Sequence, residues 1–351
     1  MHCPDCERID RIFHDRNRLL LSFPTGHSLA KFQRSAQARG FGATAEAGAL
    51  DLGFRGPELD ALAEAAEEAL SSEELRETRA LLLDGGAEAG PQAWQSVRPF
   101  AEVVGAIRGR WLVRMVEGDR LRSAYQPIFD RSGAVHGHEA LLRGLAEDGS
   151  LVGGGRLIGV AEAAGMLFAI DQIGRRYAIE GAARAGLRGW LFVNFDPASI
   201  YDPAACLGTT FATVRELGLD PGSVVFEVTE STQARDRGHL LGILDFYRSA
   251  GFKVALDDVG AGFSGLSLLR EVRPDVIKVD MDLIRGIHAD RFRQSIVSHL
   301  AAIAHESGAL VVAEGIETPE EHAWLQGAGI DLFQDFALGR PAVPGGATMA
   351  G

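Results

Sequence analysis

Cysteine is scarce: three in 351 residues, an odd number, which excludes a disulfide-stapled scaffold. No stretch reaches the roughly 18 consecutive apolar residues of a membrane span. No basic-then-apolar leader precedes a small-residue cleavage site. The expectation is a cytoplasmic chain with no membrane partner. Positive charge is also in short supply, with 35 Lys plus Arg against 48 Asp plus Glu and a net charge of −13. That balance argues against a surface for a nucleic-acid polymer, and an anionic ligand would need cations to invert the local field. Otherwise the composition is that of a globular protein, and the length suggests two domains.

The small, breaker-rich stretch Asp84 to Pro91 is the best linker, so the chain divides into 1–90, a helical connector over 91–109 and a larger domain over 110–345. Before the linker, Leu19 to Phe23 reads as a strand, His27 to Arg39 as a helix, Phe41 to Ala45 and Ala49 to Phe54 as a hairpin. Pro57 opens a helix to Leu70, and Ser71 with Glu74 stand at capping-box spacing for another. This is a small α/β domain without a catalytic signature. Beyond it, short apolar strands alternate with amphipathic helices. The strands are Ala124 to Phe129, Gly137 to Leu142, Leu191 to Phe195, Val224 to Thr229, Lys253 to Asp257, Val276 to Val279, Leu310 to Ala313 and Leu332 to Phe336. Eight strands with intervening helices predict an α/β fold of TIM-like (β/α)8 type. The first two are too close for a parallel crossover, so they should pair antiparallel.

Polar residues fall where such a barrel keeps its chemistry. Glu139, Asn194, Glu227, Asp257 with Asp258, Lys278, Glu314 and Gln334 lie in or just after apolar strands, whose carboxyl ends share one face. Carboxylates gathered there repel one another unless cations neutralise them. Oxygen donors without a cysteine or histidine cluster favour Mg²⁺ or Mn²⁺. Two ions about 3.5–4 Å apart would clamp an in-line phosphoryl displacement, with Asp257-Asp258 as the bridging region. Neighbours on a strand face opposite sides, so both aspartates can serve only if the strand ends there, as the glycine-rich run Val259 to Gly265 suggests. Any one of these residues alone reads more simply as a solvated charge or a turn former; the joint pattern carries the inference.

From about Val113 to Pro341 the chain resembles the EAL-domain cyclic di-GMP phosphodiesterases. The resemblance rests on Gln126-Pro127-Ile128, Glu139-Ala140-Leu141-Leu142-Arg143, Asn194, Glu227-Val228-Thr229-Glu230, Asp257-Asp258, Lys278 with Asp280, Ala313-Glu314-Gly315-Ile316-Glu317, and Gln334 before Gly339-Arg340-Pro341. It implies a barrel with an antiparallel first strand and hydrolysis of cyclic di-GMP to linear pGpG. Glu139, Asn194, Glu227 and Asp257 would hold one metal, and Asp257, Glu314 and Asp258 a second. Lys278 would orient or activate the attacking water, with Asp258 and Glu314 as further catalytic groups; Glu314 is open between base and ligand. Gln126, Leu141, Arg143 and Gln334 would contact the ligand, while Glu230 and Glu317 support loops. A homodimer through the barrel is the implied partner arrangement.

The chain departs from the family pattern at Val259, Ala261 and Phe263 in the loop after the paired aspartates, and at Asp335-Phe336 after Gln334. No metal ligand is lost. A non-enzymatic cyclic di-GMP receptor is the alternative, and an unrelated metal-dependent barrel hydrolase a third reading. Cys3 and Cys6 form a C-x-x-C near His2 and His14, which is open between a metal or redox site and a plain terminus. By analogy, the amino-terminal domain regulates the barrel.

Overall fold

The computed structural model describes residues 13, 17–46, 48–84, 90–229, 237–260 and 265–345. Linker residues 85–89, Glu230, Ala261, Phe263, and the cluster of Cys3, Cys6, His2 and His14 lie outside these. Packing divides the chain into two compact units. Among the described residues, one comprises Arg120–Gly154 and the chain from Asp171 onward; the other comprises Phe13 to Asp119 together with Gly155–Ile170.

The smaller unit holds strands β1 (Arg18–Ser22), β2 (Ala43–Glu46), β3 (Ala49–Gly53), β4 (Arg79–Leu83) and β5 (Arg98–Pro99) in one sheet of order β2-β3-β1-β4-β5. All its pairings are antiparallel. Leu19 and Leu21 alternate with more exposed neighbours and are fully buried, the period-2 signature of a strand covered on one face. Helix α1 (Gly26–Ala38) starts where Thr25 accepts a hydrogen bond from the Ser28 amide. A 3-10 turn at Gly56–Glu58 carries Pro57 and leads into α2 (Leu59–Ala69). Both bonds of the expected capping box open α3 (Ser72–Glu77), and the same Glu74 carboxylate accepts from Ser28 Oγ at 2.7 Å and Lys31 Nζ at 2.8 Å, which ties α3 to α1.

One strand here has no sequence reading, and one stretch differs from expectation. Strand β4 is an unalternating run, Ala80 to Leu83, all buried, whose period cannot be told from that of a buried helix. The stretch from Pro91 is not one helix: a 3-10 turn (Pro91–Ser96) and β5 precede α4 (Phe100–Arg108). Pro99 disfavours helical geometry at Arg98, which instead pairs with Ala80. Phe100 meets Phe32 edge to face, and α4 lies against α2, α3 and β4. Helix α5 (Arg110–Glu117) and α6 (Gly154–Ala163) belong largely to the same unit, with Arg156 over the Trp111 ring. By packing, Arg110 to Asp119 group with the smaller unit.

The larger unit is the expected closed barrel. Its strands are β6 (Leu121–Asp130), β7 (Val135–Leu145), β9 (Trp190–Asn194), β10 (Val224–Thr229), β11 (Lys253–Val259), β12 (Val276–Val279), β13 (Leu310–Ile316) and β14 (Leu332–Asp335), with β8 (Leu151–Gly153) appended to β7. Strand β6 pairs antiparallel with both β7 and β14 and closes the ring; the remaining ring pairings are parallel. Around it run α7 (Leu167–Arg184), α8 (Pro203–Cys206), α9 (Gly208–Glu216), α10 (Arg237–Ser249), α11 (Gly265–Val272), α12 (Met281–Ile284), α13 (Arg291–Glu306) and α14 (Pro319–Gly327). Among the described residues no helix is long and apolar enough to cross a membrane.

A buried layer of Ile128, Phe192, Val225, Ala255, Val276, Val312 and Leu332 fills the barrel, one side chain from each of seven strands. Side chains two residues apart on a strand share a face. The next inward position towards the mouth is then Gln126, Asn194, Glu227, Asp257, Lys278, Glu314 and Gln334. An apolar plug thus carries a polar layer directly above it.

Candidate metal centre

Lys278 lies at the middle of that layer, 1% exposed, and its Nζ is 2.6 Å from Glu314 Oε1, 2.8 Å from Glu227 Oε1, 3.2 Å from Asp257 Oδ1 and 3.4 Å from Glu139 Oε2. The neutral amides complete the ring: Asn194 Nδ2 donates to Glu139 Oε1 at 3.2 Å and Gln334 Nε2 to Glu139 Oε2 at 2.7 Å. The pattern read from the sequence is therefore one cluster.

Asp258 joins by a route the sequence reading had wrong. Strand β11 does not end at the aspartates but continues to Val259, with a register shift against β12 after Leu256. Asp258 takes a left-handed φ of +56°, unusual for a side-chain-bearing residue, and its amide donates to Asp257 Oδ1 at 2.9 Å. This bulge brings both neighbours to the mouth, where carboxylate oxygens of Asp257, Asp258 and Glu314 lie within 4.8 Å of one another. A second shift in β13 follows Glu314. There Gly315 has φ +62°, and a Cβ would meet Met281 Cβ at 2.5 Å, so only glycine fits.

Burial dominates the electrostatics. It would depress the Lys278 ammonium, but Asp257, Glu139, Glu227 and Glu314 together hold its pKa well above the usual lysine range. Burial pushes Glu227 well above the carboxylate range despite Lys278, raises Asp257, and carries Glu314 up to about 8. Burial and then the Asp257 charge push Asp258 up to about 6. Burial would raise Glu139 too, yet Lys278 and the amides of Gln334 and Asn194 keep it below its ordinary value.

One ammonium thus faces four carboxylates, with Asp258 a fifth nearby, and Glu227 Oε2 is buried without a hydrogen-bond partner. An oxygen-only donor set with surplus negative charge and an unused buried lone pair fits hard divalent cations.

Beside the cluster opens a cavity of about 470 Å³ whose lining includes Gln126, Glu139, Leu141, Glu314, Glu317 and Gln334. Gln126, Leu141 and Gln334 thus share one cavity. Arg143 is absent from that lining; it is half-buried in β7, with Nη1 donating to Leu142 O and Nε lacking a partner. Glu317 pairs with Arg285 at 2.6 Å on the cavity rim. Met281 and Arg285 also line it and were missed, since their short helix and following loop carry no motif. Asp335 and Phe336 line the cavity too; Asp335 Oδ1 accepts from the Ala337 amide, and the exposed Phe336 ring lies 5.6 Å from the Arg340 guanidinium. Gly339 closes the seam at β6, where a Cβ would come within 2.2 Å of Pro127 Cγ.

These features define an α/β barrel with an antiparallel first strand and an acid-lined, metal-fitting mouth. The chain belongs to the EAL domain family, which matches residues 110–341. It is similar to the cyclic di-GMP phosphodiesterase NbdA of Pseudomonas aeruginosa, 32% identical over 235 residues, covering 66% of this chain and 30% of that protein. The chain spans about a third of the length of the curated relatives it matches. Among solved structures it is similar to a standalone EAL protein of Vibrio cholerae in a c-di-GMP-bound form, at 35% identity and TM-score 0.57 over 66% of this chain and 98% of that one. A Klebsiella pneumoniae BlrP1 manganese and c-di-GMP complex matches at 27% identity and TM-score 0.57, over 94% of this chain and 97% of that one.

Proposed function

We propose that the barrel is a divalent-metal phosphodiesterase that opens one phosphodiester of cyclic di-GMP to give linear pGpG. The observation that carries the reading is the intact mouth: Glu139, Asn194, Glu227, Asp257, Asp258 and Glu314 converge around buried Lys278. Glu139, Asn194, Glu227 and Asp257 would hold one Mg²⁺ or Mn²⁺, and Asp257, Asp258 and Glu314 a second, with Asp257 shared. Such ions supply Lewis-acid activation of water and neutralise the phosphodiester charge. In the reaction, water adds to phosphorus, one P–O ester bond breaks, and the departing sugar oxygen takes up a proton. Lys278 holds the carboxylates at fixed separations and orients the attacking water. Gln126, Leu141 and Gln334 line the ligand cavity, and the forked donors of Arg143 suit a phosphate.

Purified chain incubated with cyclic di-GMP and Mn²⁺ should yield pGpG, and a Glu139→Ala variant should not. Binding without turnover in the unaltered chain would replace the enzyme with a receptor. On the outer face of α13 the exposed Phe292, Ile296 and Ile303 are consistent with a homodimer through the barrel, testable by light scattering. The smaller unit is assigned a regulatory role. If substitutions that disrupt its packing left turnover and oligomeric state unchanged, that role would be lost. Cytoplasmic location completes the reading and fits a nucleotide second messenger.

A further inference from the structure

Helix α7 carries Asp171 and, one turn later, Arg175, whose side chain is 1% exposed and whose Nη1 donates to Asp171 Oδ2. Residues four apart lie on one helix face. Arg175 Nε also reaches Thr210 Oγ1 at 3.4 Å, and Gln172 Nε2 donates to Thr209 Oγ1 at 2.7 Å, so α7 is tied to α9. The Asp171 carboxylate then turns to the loop after β9. Its Oδ1 accepts from the Asp196 amide at 3.0 Å, and its Oδ2 from Ser199 Oγ at 2.7 Å. All of these residues belong to the larger unit.

What this network holds adjoins the metal centre. Asn194 is the last residue of β9, and Asp196 follows it by two. Between them the Phe195 amide donates to the Glu227 carbonyl at 3.3 Å, while Asn194 Nδ2 donates to Glu139 Oε1 at 3.2 Å. The backbone leaving Asn194 is thus pinned at 195 by the neighbouring strand and at 196 by Asp171. Neither Asp171 nor Arg175 lines the cavity beside the mouth. The pair is costly to bury: desolvation lowers the Arg175 pKa, and apolar residues of similar volume often serve stability as well as a buried ion pair or better. Stability alone therefore does not account for it.

We propose that Asp171, held by Arg175, is a positioning residue for Asn194. Its carboxylate fixes the Asp196 amide and the Ser199 hydroxyl, and through them the backbone that presents Asn194 beside Glu139, Glu227 and Asp257. The inference rests on the divalent-metal reading above.

The test is a cycle of variants in the full chain, read by calorimetric titration with Mn²⁺ and by turnover of cyclic di-GMP, with thermal melts to set a temperature at which each is folded. Asp171→Leu with Arg175→Met, the apolar double variant, removes both charges and the acceptor. Asp171→Asn with Arg175→Met, the amide double variant, removes both charges but leaves Oδ1 to accept from the Asp196 amide. The apolar double variant should bind Mn²⁺ roughly tenfold to a hundredfold more weakly, the usual effect of losing a partner behind a metal ligand. The amide double variant should recover most of that affinity. In both, KM for cyclic di-GMP should change little while kcat follows the metal affinity, since neither position lines the cavity. In an Asn194→Ala background the apolar pair of substitutions should cost little more, because the residue it acts through is gone. Ser199→Ala deletes one bond and no charge; it should shift Mn²⁺ affinity the same way by a smaller factor, and it replaces the apolar double variant if that protein does not fold. Parent-like Mn²⁺ affinity in these variants, equal losses in the two double variants, or losses that add in full to that of Asn194→Ala would each overturn the positioning role and leave the phosphodiesterase reading intact. A parent chain that binds no Mn²⁺ would overturn both.

Discussion

Replacing Lys278 by methionine keeps the length of the side chain and removes the single ammonium that four carboxylates share at 2.6–3.4 Å. Breaking a buried ion pair by deleting one partner costs roughly 3–5 kcal/mol, because the remaining charge stays buried. For a domain of this size that corresponds to a fall in Tm of roughly 6–20 °C in chelator. The pH dependence has a definite sign. Glu314 at about 8 and Asp258 at about 6 have folded pKa values raised above their unfolded ones. The folded state then binds more protons than the unfolded between about pH 4 and 8, so metal-free stability falls as pH rises through that window. Lys278→Met should steepen this fall, since the remaining carboxylates lose their counter-charge. Divalent cations supply charge to the same oxygens, so Mn²⁺ should raise the Tm of Lys278→Met more than that of the parent while failing to restore turnover. Differential scanning fluorimetry from pH 5 to 8.5, in chelator and in Mn²⁺, reads all of this. A metal-free variant as stable as the parent at pH 8, or equal Mn²⁺ shifts in both proteins, would refute the reasoning.

Metal binding should displace protons near neutrality, because Glu314 and Asp258 are partly protonated without metal; calorimetry in two buffers of different ionisation enthalpy should show proton release and an affinity for Mn²⁺ that rises from pH 6 to 8. Gly315→Ala forces a Cβ against Met281 at φ +62°, so a loss of about 1–3 kcal/mol in chemical denaturation and a marked drop in turnover are expected through displacement of Glu314. Glu74 is held down to about 2, first by Lys31 and then by the Ser71 amide, so the stability it confers is present above about pH 4.5 and is lost as pH falls through about 2. Glu74→Gln should melt lower than the parent at pH 7, the gap closing in strong acid.

The barrel was legible because each parallel strand is an apolar run bounded by turns, and β10 and β12 were read with their observed limits. The site was legible for a related reason: a lysine or glutamate inside such a run, as at Val276-Ile277-Lys278-Val279, has no cheap place unless charges answer it. What strand periodicity could not carry was any residue placed by irregular backbone. Asp258 needed a bulge rather than a strand end, and β4 needed to be told from a buried helix without alternation to guide it. Arg285 and Met281 reach the cavity from a short helix and the loop after it.

The two bulges explain why the mouth gathers more carboxylates than a regular barrel offers. A regular strand presents one inward side chain at the mouth, and β12, which contributes Lys278, does only that. Its neighbours β11 and β13 each break register at this level, after Leu256 and after Glu314. On β11 the break turns Asp258 to the same side as Asp257; on β13 it lets the chain swing away after Glu314 towards α12 through Gly315. The left-handed aspartate is held by its amide bond to Asp257. Because Asp258 opens directly into the segment 259–263, where the sequence departs from the family pattern, substitutions in that segment should act on the Asp257, Asp258 and Glu314 site before they act on Glu139, Asn194 and Glu227, which stand on regular strands. Metal titrations of a Val259→Phe variant should therefore change one of two binding events and leave the other in place.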